Sequence, residues 1–167
     1  AEWLDFYGSY FDVNIDRDYA YISFCSLSKF FAPTADVARE IVLCPTFGEH
    51  ELEIYCSKRK QSLAIERKKV EMLSRELFAE ALFGAEHPYG ISSDESLYDD
   101  VRRDDLVALY RELYTAENCF VVCSGRIDEE VITTLRAIVE ALALGRRAEQ
   151  RLPATQTTNV LRRDVEG

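Results

Sequence analysis

Histidine is almost missing from this chain: His50 and His87 are the only two. A metal centre built on imidazole needs several histidines brought together, and neither belongs to a His-x-x-Glu-His or a His-Glu-x-x-His pattern. The run His50-Glu51-Leu52-Glu53-Ile54 approaches the second, but Ile54 stands in the second histidine's place and cannot ligate. The five cysteines, Cys25, Cys44, Cys56, Cys119 and Cys123, contain no Cys-x-x-Cys, so a zinc knuckle has no support. Cys119 and Cys123 fall on one face of an expected strand, ~13 Å apart, which is too far for a mutual disulfide. The expectation for all five is reduced thiols in the core. Cations are in deficit, with 20 Lys and Arg against 30 Asp and Glu and a formal charge of −10. Nucleic acid and anionic membrane faces need a basic footprint, so both are disfavoured as partners. The short basic runs Lys58-Arg59-Lys60 and Arg67-Lys68-Lys69 have acidic neighbours and read as solvated helix faces. No apolar run is long enough to span a membrane, and no signal peptide is visible. The chain opens in what reads as the middle of a helix and ends on a strand pattern at residues 159–165. We therefore expect a piece of a larger protein, with any targeting signal elsewhere.

What is present fits one domain: 167 residues, 47% of them hydrophobic. The organising stretch is residues 44–90. It opens Cys44-Pro45-Thr46-Phe47-Gly48, where proline stops one helix. Residues 49–82 then contain no Pro or Gly, so nothing in them must break a helix. Leu52, Tyr55, Leu63, Val70, Leu73, Leu77 and Ala81 recur at helical steps, with a polar gap between Ser57 and Ser62 where a bend or break is expected. The stretch closes on a cluster of turn residues, Phe83-Gly84 and His87-Pro88-Tyr89-Gly90.

Before this stretch, residues 2–7 read as the end of a helix closed by Gly8. Residues 10–15 alternate, with Phe11, Val13 and Ile15 on one face and Tyr10, Asp12 and Asn14 on the other. Asp16-Arg17-Asp18 makes a tight connection to residues 19–27, which put Ala20, Ile22 and Phe24 on one face. This is an antiparallel hairpin on a sheet with one covered face. Pro33-Thr34 is expected to start a short helix, with Thr34 as its N-cap. After the stretch come a loop at residues 91–101 holding Asp94, Glu95, Asp99 and Asp100, and an amphipathic helix at 104–113. Residues 118–125 are apolar on both faces and read as a central strand. Asp128 is placed to N-cap a helix reaching about Leu144, and residues 146–158 read as an extended linker.

This order resembles the insulinase/pitrilysin type of zinc metallopeptidases, which includes the mitochondrial processing peptidases. It is carried by the Gly8 turn and hairpin, Pro45-Thr46-Phe47 before a long helix, His87-Pro88-Tyr89-Gly90, Asp104-Asp105-Leu106 with Tyr110 and Tyr114, and residues 118–125 followed by Arg126-Ile127-Asp128. The resemblance covers roughly residues 2–145. It implies an α+β class and the LuxS/MPP-like metallohydrolase fold, with an antiparallel-rich sheet and helices packed on one face. Residues 1–145 would be such a domain lacking its first strand or strands and its zinc-motif helix. Residues 146–167 would be a linker and the start of a following domain. Family members form a clam around a peptide and bind zinc through an inverted His-x-x-Glu-His motif, completed by a glutamate further down the chain.

The chain departs from that pattern. The inverted motif would lie before Glu2. Matching Pro45-Thr46-Phe47 to the family's turn puts the downstream ligand at Ser62, which cannot replace a carboxylate, and a family acidic residue at Tyr55. A slip in register would make Glu66 the nearest carboxylate. We expect a non-catalytic domain with no catalytic residue and no metal ligand of its own, zinc being the family's cofactor. Its role would be to line a peptide chamber or hold a catalytic partner domain or subunit. Peptide would add as a strand to the hairpin edge at Ser9, Tyr10, Asp12 and Asn14. The alternatives are the remainder of a catalytic zinc endopeptidase domain whose motif lies upstream, and a purely structural interaction subunit. The resemblance leans to a bacterial periplasm or cell envelope.

Overall fold

In the computed structural model of the chain, residues 2–146, 152–155 and 157–158 are described. The class is α+β: six α-helices and one two-stranded antiparallel sheet among the described residues. The described residues divide into two compact units, one of residues 2–46 and 106–146, the other of residues 47–105, 152–155 and 157–158.

In the first unit, α1 (Glu2–Phe6) ends where the sequence supplies a residue free of a Cβ. Gly8 sits at φ +61° and the Ser9 amide reaches back to the Leu4 carbonyl at 3.0 Å. β1 (Tyr10–Ile15) and β2 (Ala20–Cys25) pair in the register Tyr10↔Cys25 to Ile15↔Ala20. That register puts Phe11, Val13, Ile15, Ala20, Ile22 and Phe24 on one face, as the alternation requires. Cover is uneven: Phe24 meets Phe31 with rings 6.2 Å apart, whereas Val13 and Ile15 at the far end are exposed. The connection is held by one side chain. Asp16 Oδ1 accepts from the Asp18 and Tyr19 amides, both at 2.7 Å, and Oδ2 accepts from the Tyr21 hydroxyl at 2.9 Å.

α2 spans Phe31–Leu43 and follows a 3₁₀ turn at Ser28–Phe30. It therefore starts three residues before the expected N-cap. Thr34 is inside the helix, where its hydroxyl donates back to the Phe30 carbonyl at 2.8 Å and meets Ser9 Oγ at 2.7 Å. The helix stops at Cys44-Pro45 as read. α2 packs with α6 (Glu129–Glu140). The buried residues of these two helices are Thr34, Ala35 and Ala38 on α2 and Val131 on α6. α6 opens on Asp128, whose carboxylate accepts from the Val131 amide at 3.1 Å. It ends at Glu140, short of Leu144. α5 (Arg103–Leu113) carries Tyr110, whose hydroxyl donates to the Val42 carbonyl at 2.7 Å.

The expected central strand at residues 118–125 is not one. A 3₁₀ turn occupies Ala116–Asn118, and residues 119–124 are irregular and exposed, Val122 at 83%. A strand apolar on both faces needs a ladder on both edges, and among the described residues the sheet holds only β1 and β2. The cysteines follow suit. Cys25, Cys44, Cys119 and Cys123 are exposed and Cys56 is half-buried, all unbridged, so the core-thiol expectation is corrected.

In the second unit the long helical pattern is two helices, α3 (Glu49–Glu66) and α4 (Val70–Phe83). The break lies at residues 67–69, not in the polar gap between Ser57 and Ser62. There the Lys68 and Lys69 amides bond three residues back, to Ile65 and Glu66, and Lys69 is extended. Nothing in the side chains of residues 67–69 demands the break. Of the expected stripe, Leu63 is 1% exposed, but Tyr55 and Val70 face solvent. The acidic loop holds a 3₁₀ turn at Glu95–Tyr98, N-capped by Asp94 through the Ser96 amide at 2.8 Å. Residues 152–155 and 157–158 of the expected linker lack regular structure. Thr158 and Thr157 donate to the carbonyls of Ala81 and Leu82. The strand expected at residues 159–165 lies outside the described residues.

Candidate functional site

Two places bear on function, and each lies within one unit. The first is the hairpin edge. Ser9 is buried, and its hydroxyl is spent on Thr34, so its side chain contributes nothing to an exposed edge. Tyr10, Asp12 and Asn14 are exposed on one face of β1. The Asn14 side-chain oxygen accepts from the Ile15 amide at 3.0 Å. β1 pairs with β2 along one edge only, so its other edge is unpaired within the described sheet. An unpaired edge presents the donors and acceptors that an added strand uses. Beside the hairpin, Tyr19 meets Phe120 edge to face with rings 5.7 Å apart. The sequence did not single out this pair, because their closeness depends on where residues 119–124 run.

The second place is α3, which carries the position matched to a ligand carboxylate. Ser62 is exposed there, and Tyr55 also faces solvent. Glu66, the nearest carboxylate, is engaged: Arg59 Nη1 donates to its two oxygens at 3.2 and 3.4 Å. Arg59 also stands beside the Tyr98 hydroxyl, and that interaction raises the guanidinium above its already high value, with Glu66 adding to the effect. His50 is exposed in the first turn of α3. It is sixteen residues from Glu66, or ~24 Å along the helix axis, so the two cannot share an ion.

The remaining histidine serves a turn. Gly84 sits at φ +93° and leads into a tight bend. The His87 amide donates to the Gly84 carbonyl at 3.2 Å, and the His87 carbonyl accepts from Gly90 at 2.8 Å and Ile91 at 3.0 Å. The His87 ring is 4% exposed. It stacks on Phe83 with centroids 5.3 Å apart and lies edge-on to Tyr89. Its Nδ1 accepts from the Tyr89 amide at 3.1 Å, which puts the ring proton on Nε2. The turn role read from sequence holds for His87.

These donors do not fit a zinc ion of the family's kind. One histidine is enclosed in an aromatic turn, the other is far from the one carboxylate that a register slip offers, and that carboxylate is held by an arginine. Among the described residues no three His, Cys, Asp or Glu side chains gather in a group able to hold a metal. No helix among them is long and apolar enough to cross a membrane. No protein-family model matches the chain, and no curated protein matches it.

Proposed function

We propose that this chain is a non-catalytic domain of a zinc metalloprotease of the insulinase/pitrilysin type, with the LuxS/MPP-like arrangement of a sheet covered on one face by helices. It would form part of a peptide chamber or hold a catalytic partner domain. The observation that carries this reading is the face of α3 around Ser62. An exposed hydroxyl stands where the resemblance calls for a ligand carboxylate. The nearest substitute, Glu66, is committed to Arg59. A guanidinium on both oxygens of a carboxylate competes with a cation for the same negative charge and disfavours its recruitment. The compact His87 turn and the hairpin are the other features that agree with the family's order of elements. Peptide would be met at the free edge of β1, along Tyr10, Asp12 and Asn14.

The test is a pair of measurements on the purified chain. Zinc content is read by metal mass spectrometry after exposure to zinc and removal of the excess. Cleavage is read with a quenched-fluorescence peptide library, with and without zinc. We expect far less than one equivalent of zinc and no turnover. A full equivalent that disappears on Glu66→Gln, or cleavage that survives repurification and stops with a chelator, overturns the proposal. Either outcome would favour the catalytic-remainder reading.

A further inference from the structure

Two cations on α3 and at its C-terminal cap, Lys60 and Arg67, take their partners from one short loop. Arg67 Nη1 donates to Asp94 Oδ2 at 3.2 Å, and its Nη2 donates to the Ser93 carbonyl at 2.7 Å. Lys60 Nζ bonds Asp99 Oδ1. Arg59 stands beside the Tyr98 hydroxyl while its guanidinium holds Glu66. The Glu95–Tyr98 turn packs on α3. Residues spaced 59, 60, 63, 66 and 67 fall within an arc of roughly 120° on a helix with 3.6 residues per turn. Leu63 lies at the centre of that arc and is the largest fully buried side chain among the described residues. Arg59 and Glu66 flank it on one side, Lys60 and Arg67 on the other. The loop thus crosses a helix face that has an apolar centre and a charged rim.

We propose that residues 93–99 are an ionically latched strap, a conformational device that opens from α3 when its ion pairs are screened. Two features make it openable. The side chains in the latch are about a third to three-fifths exposed: Lys60 at 32% and Asp99 at 61%, Arg67 at 32% and Asp94 at 54%. Pairs of this kind are screened by salt, with a Debye length that falls from ~10 Å at 0.1 M to ~3 Å at 1 M. The closed arrangement is also imperfect, because Arg67 Nε is buried with no acceptor. That orphaned donor offsets part of what the latch gains. The strap's own bonds are local and span only residues 94–99: Asp94 Oδ1 accepts from the Ser96 amide, the Leu97 amide donates to the Asp94 carbonyl at 3.2 Å, and the Asp99 amide donates to the Ser96 carbonyl at 3.0 Å. Asp94 is the shared part, with Oδ1 shaping the turn and Oδ2 holding Arg67. Opening uncovers Leu63 together with Arg59, Lys60 and Arg67, so this cationic surface is presented conditionally in an otherwise acidic chain.

The experiment is amide hydrogen exchange on the whole chain as salt is raised. Ser96, Leu97 and Asp99 should exchange roughly tenfold faster at ~1 M than at ~0.02 M sodium chloride, since the two exposed pairs that hold the strap are lost together. Amides of α6 serve as the reference and should hold their rates. Lys60→Gln combined with Arg67→Gln should reproduce the fast exchange at low salt and leave little further salt response. Arg75→Gln removes the isolated Arg75–Glu71 pair and should leave the strap unchanged. Strap amides indifferent to salt in the unmodified chain, or a double variant with unmodified rates and an intact salt response, overturn the proposal. Because the first arm uses the unmodified chain, the test stands even if the double variant folds poorly.

Discussion

Gly90→Ala puts the reading of the His87 turn at risk in a way that can be worked from distances. A Cβ built on Gly90 would lie 1.9 Å from the Gly84 carbonyl oxygen and 2.9 Å from its carbon. Both are backbone atoms and cannot swing aside, so one side of the bend must move by about 1 Å before the contact becomes tolerable. That movement acts on the three bonds that close the turn: His87 N–H to Gly84 O at 3.2 Å, and the Gly90 and Ile91 amides to His87 O. The first is already long and is lost; the others stretch. At about 0.5–1.5 kcal/mol net for each bond, less about 0.4–1 kcal/mol returned by a stiffer unfolded chain, the turn is destabilised by ~2 kcal/mol. This corresponds to about a 30-fold rise in local opening. Hydrogen exchange at the Gly90 and Ile91 amides reads it directly. Gly8→Ala is the matched comparison. Gly8 has open space around it and a φ of +61°, so its cost is only the left-handed penalty of about 1 kcal/mol. Exchange at Gly90 and Ile91 that changes less than it does for the amides near Gly8 would refute the close approach and the enclosed His87 with it.

Two further outcomes follow from single side chains. Asp128→Ala removes the acceptor for the Val131 amide and should cost about 1 kcal/mol, seen in urea unfolding followed by circular dichroism; Asp128→Asn should recover most of it. Asp16 is held below its ordinary 3.8, first by the Tyr19 amide, then by the Asp18 amide and the Tyr21 hydroxyl. A depressed acid stabilises the hairpin above its unfolded value, and that contribution is lost as pH falls through the folded one. The Asp18 and Tyr19 amide proton shifts should therefore titrate together below about pH 4, and Asp16→Asn should abolish that titration.

What the sequence made legible was local. Asp128 before an acidic first turn, Gly8 after a short helix, and the alternation on either side of Asp16 each satisfy a hydrogen-bonding need within a few residues. What it hid depended on distant partners. Thr34 has the chemistry of an N-cap, but its hydroxyl is taken by the Phe30 carbonyl and by Ser9, twenty-five residues away, so α2 begins earlier. Residues 119–124 have strand composition, but strand identity is conferred by a neighbour, and the described sheet supplies none. The basic runs were read as solvated helix faces. Lys58, Lys68 and Lys69 are exposed as read, whereas Lys60 and Arg67 are half-buried because the loop at residues 93–99 brings its carboxylates to them, a match between opposite charges 27 to 39 residues apart. At the candidate site, the edge residues Tyr10, Asp12 and Asn14 were legible from the alternation. The enclosure of Ser9 was not, because it depends on α2.

The functional proposal and the strap meet at one side chain, and this makes them separable. Glu66 is the carboxylate that would have to turn toward a metal if the helix register differs from our reading, and it is also the partner of Arg59. Recruiting Glu66 to a cation would set that ion in competition with the Arg59 guanidinium, which stands beside Tyr98 in the strap. The latch pairs themselves, Lys60–Asp99 and Arg67–Asp94, use other carboxylates. Zinc content measured at low and high salt distinguishes the cases. No zinc at either, with strap exchange rising in salt, fits a metal-free domain with an opening strap. Zinc at both, accompanied by fast strap exchange at low salt, removes the non-catalytic reading while leaving the charge coupling between Arg59, Glu66 and the strap in place.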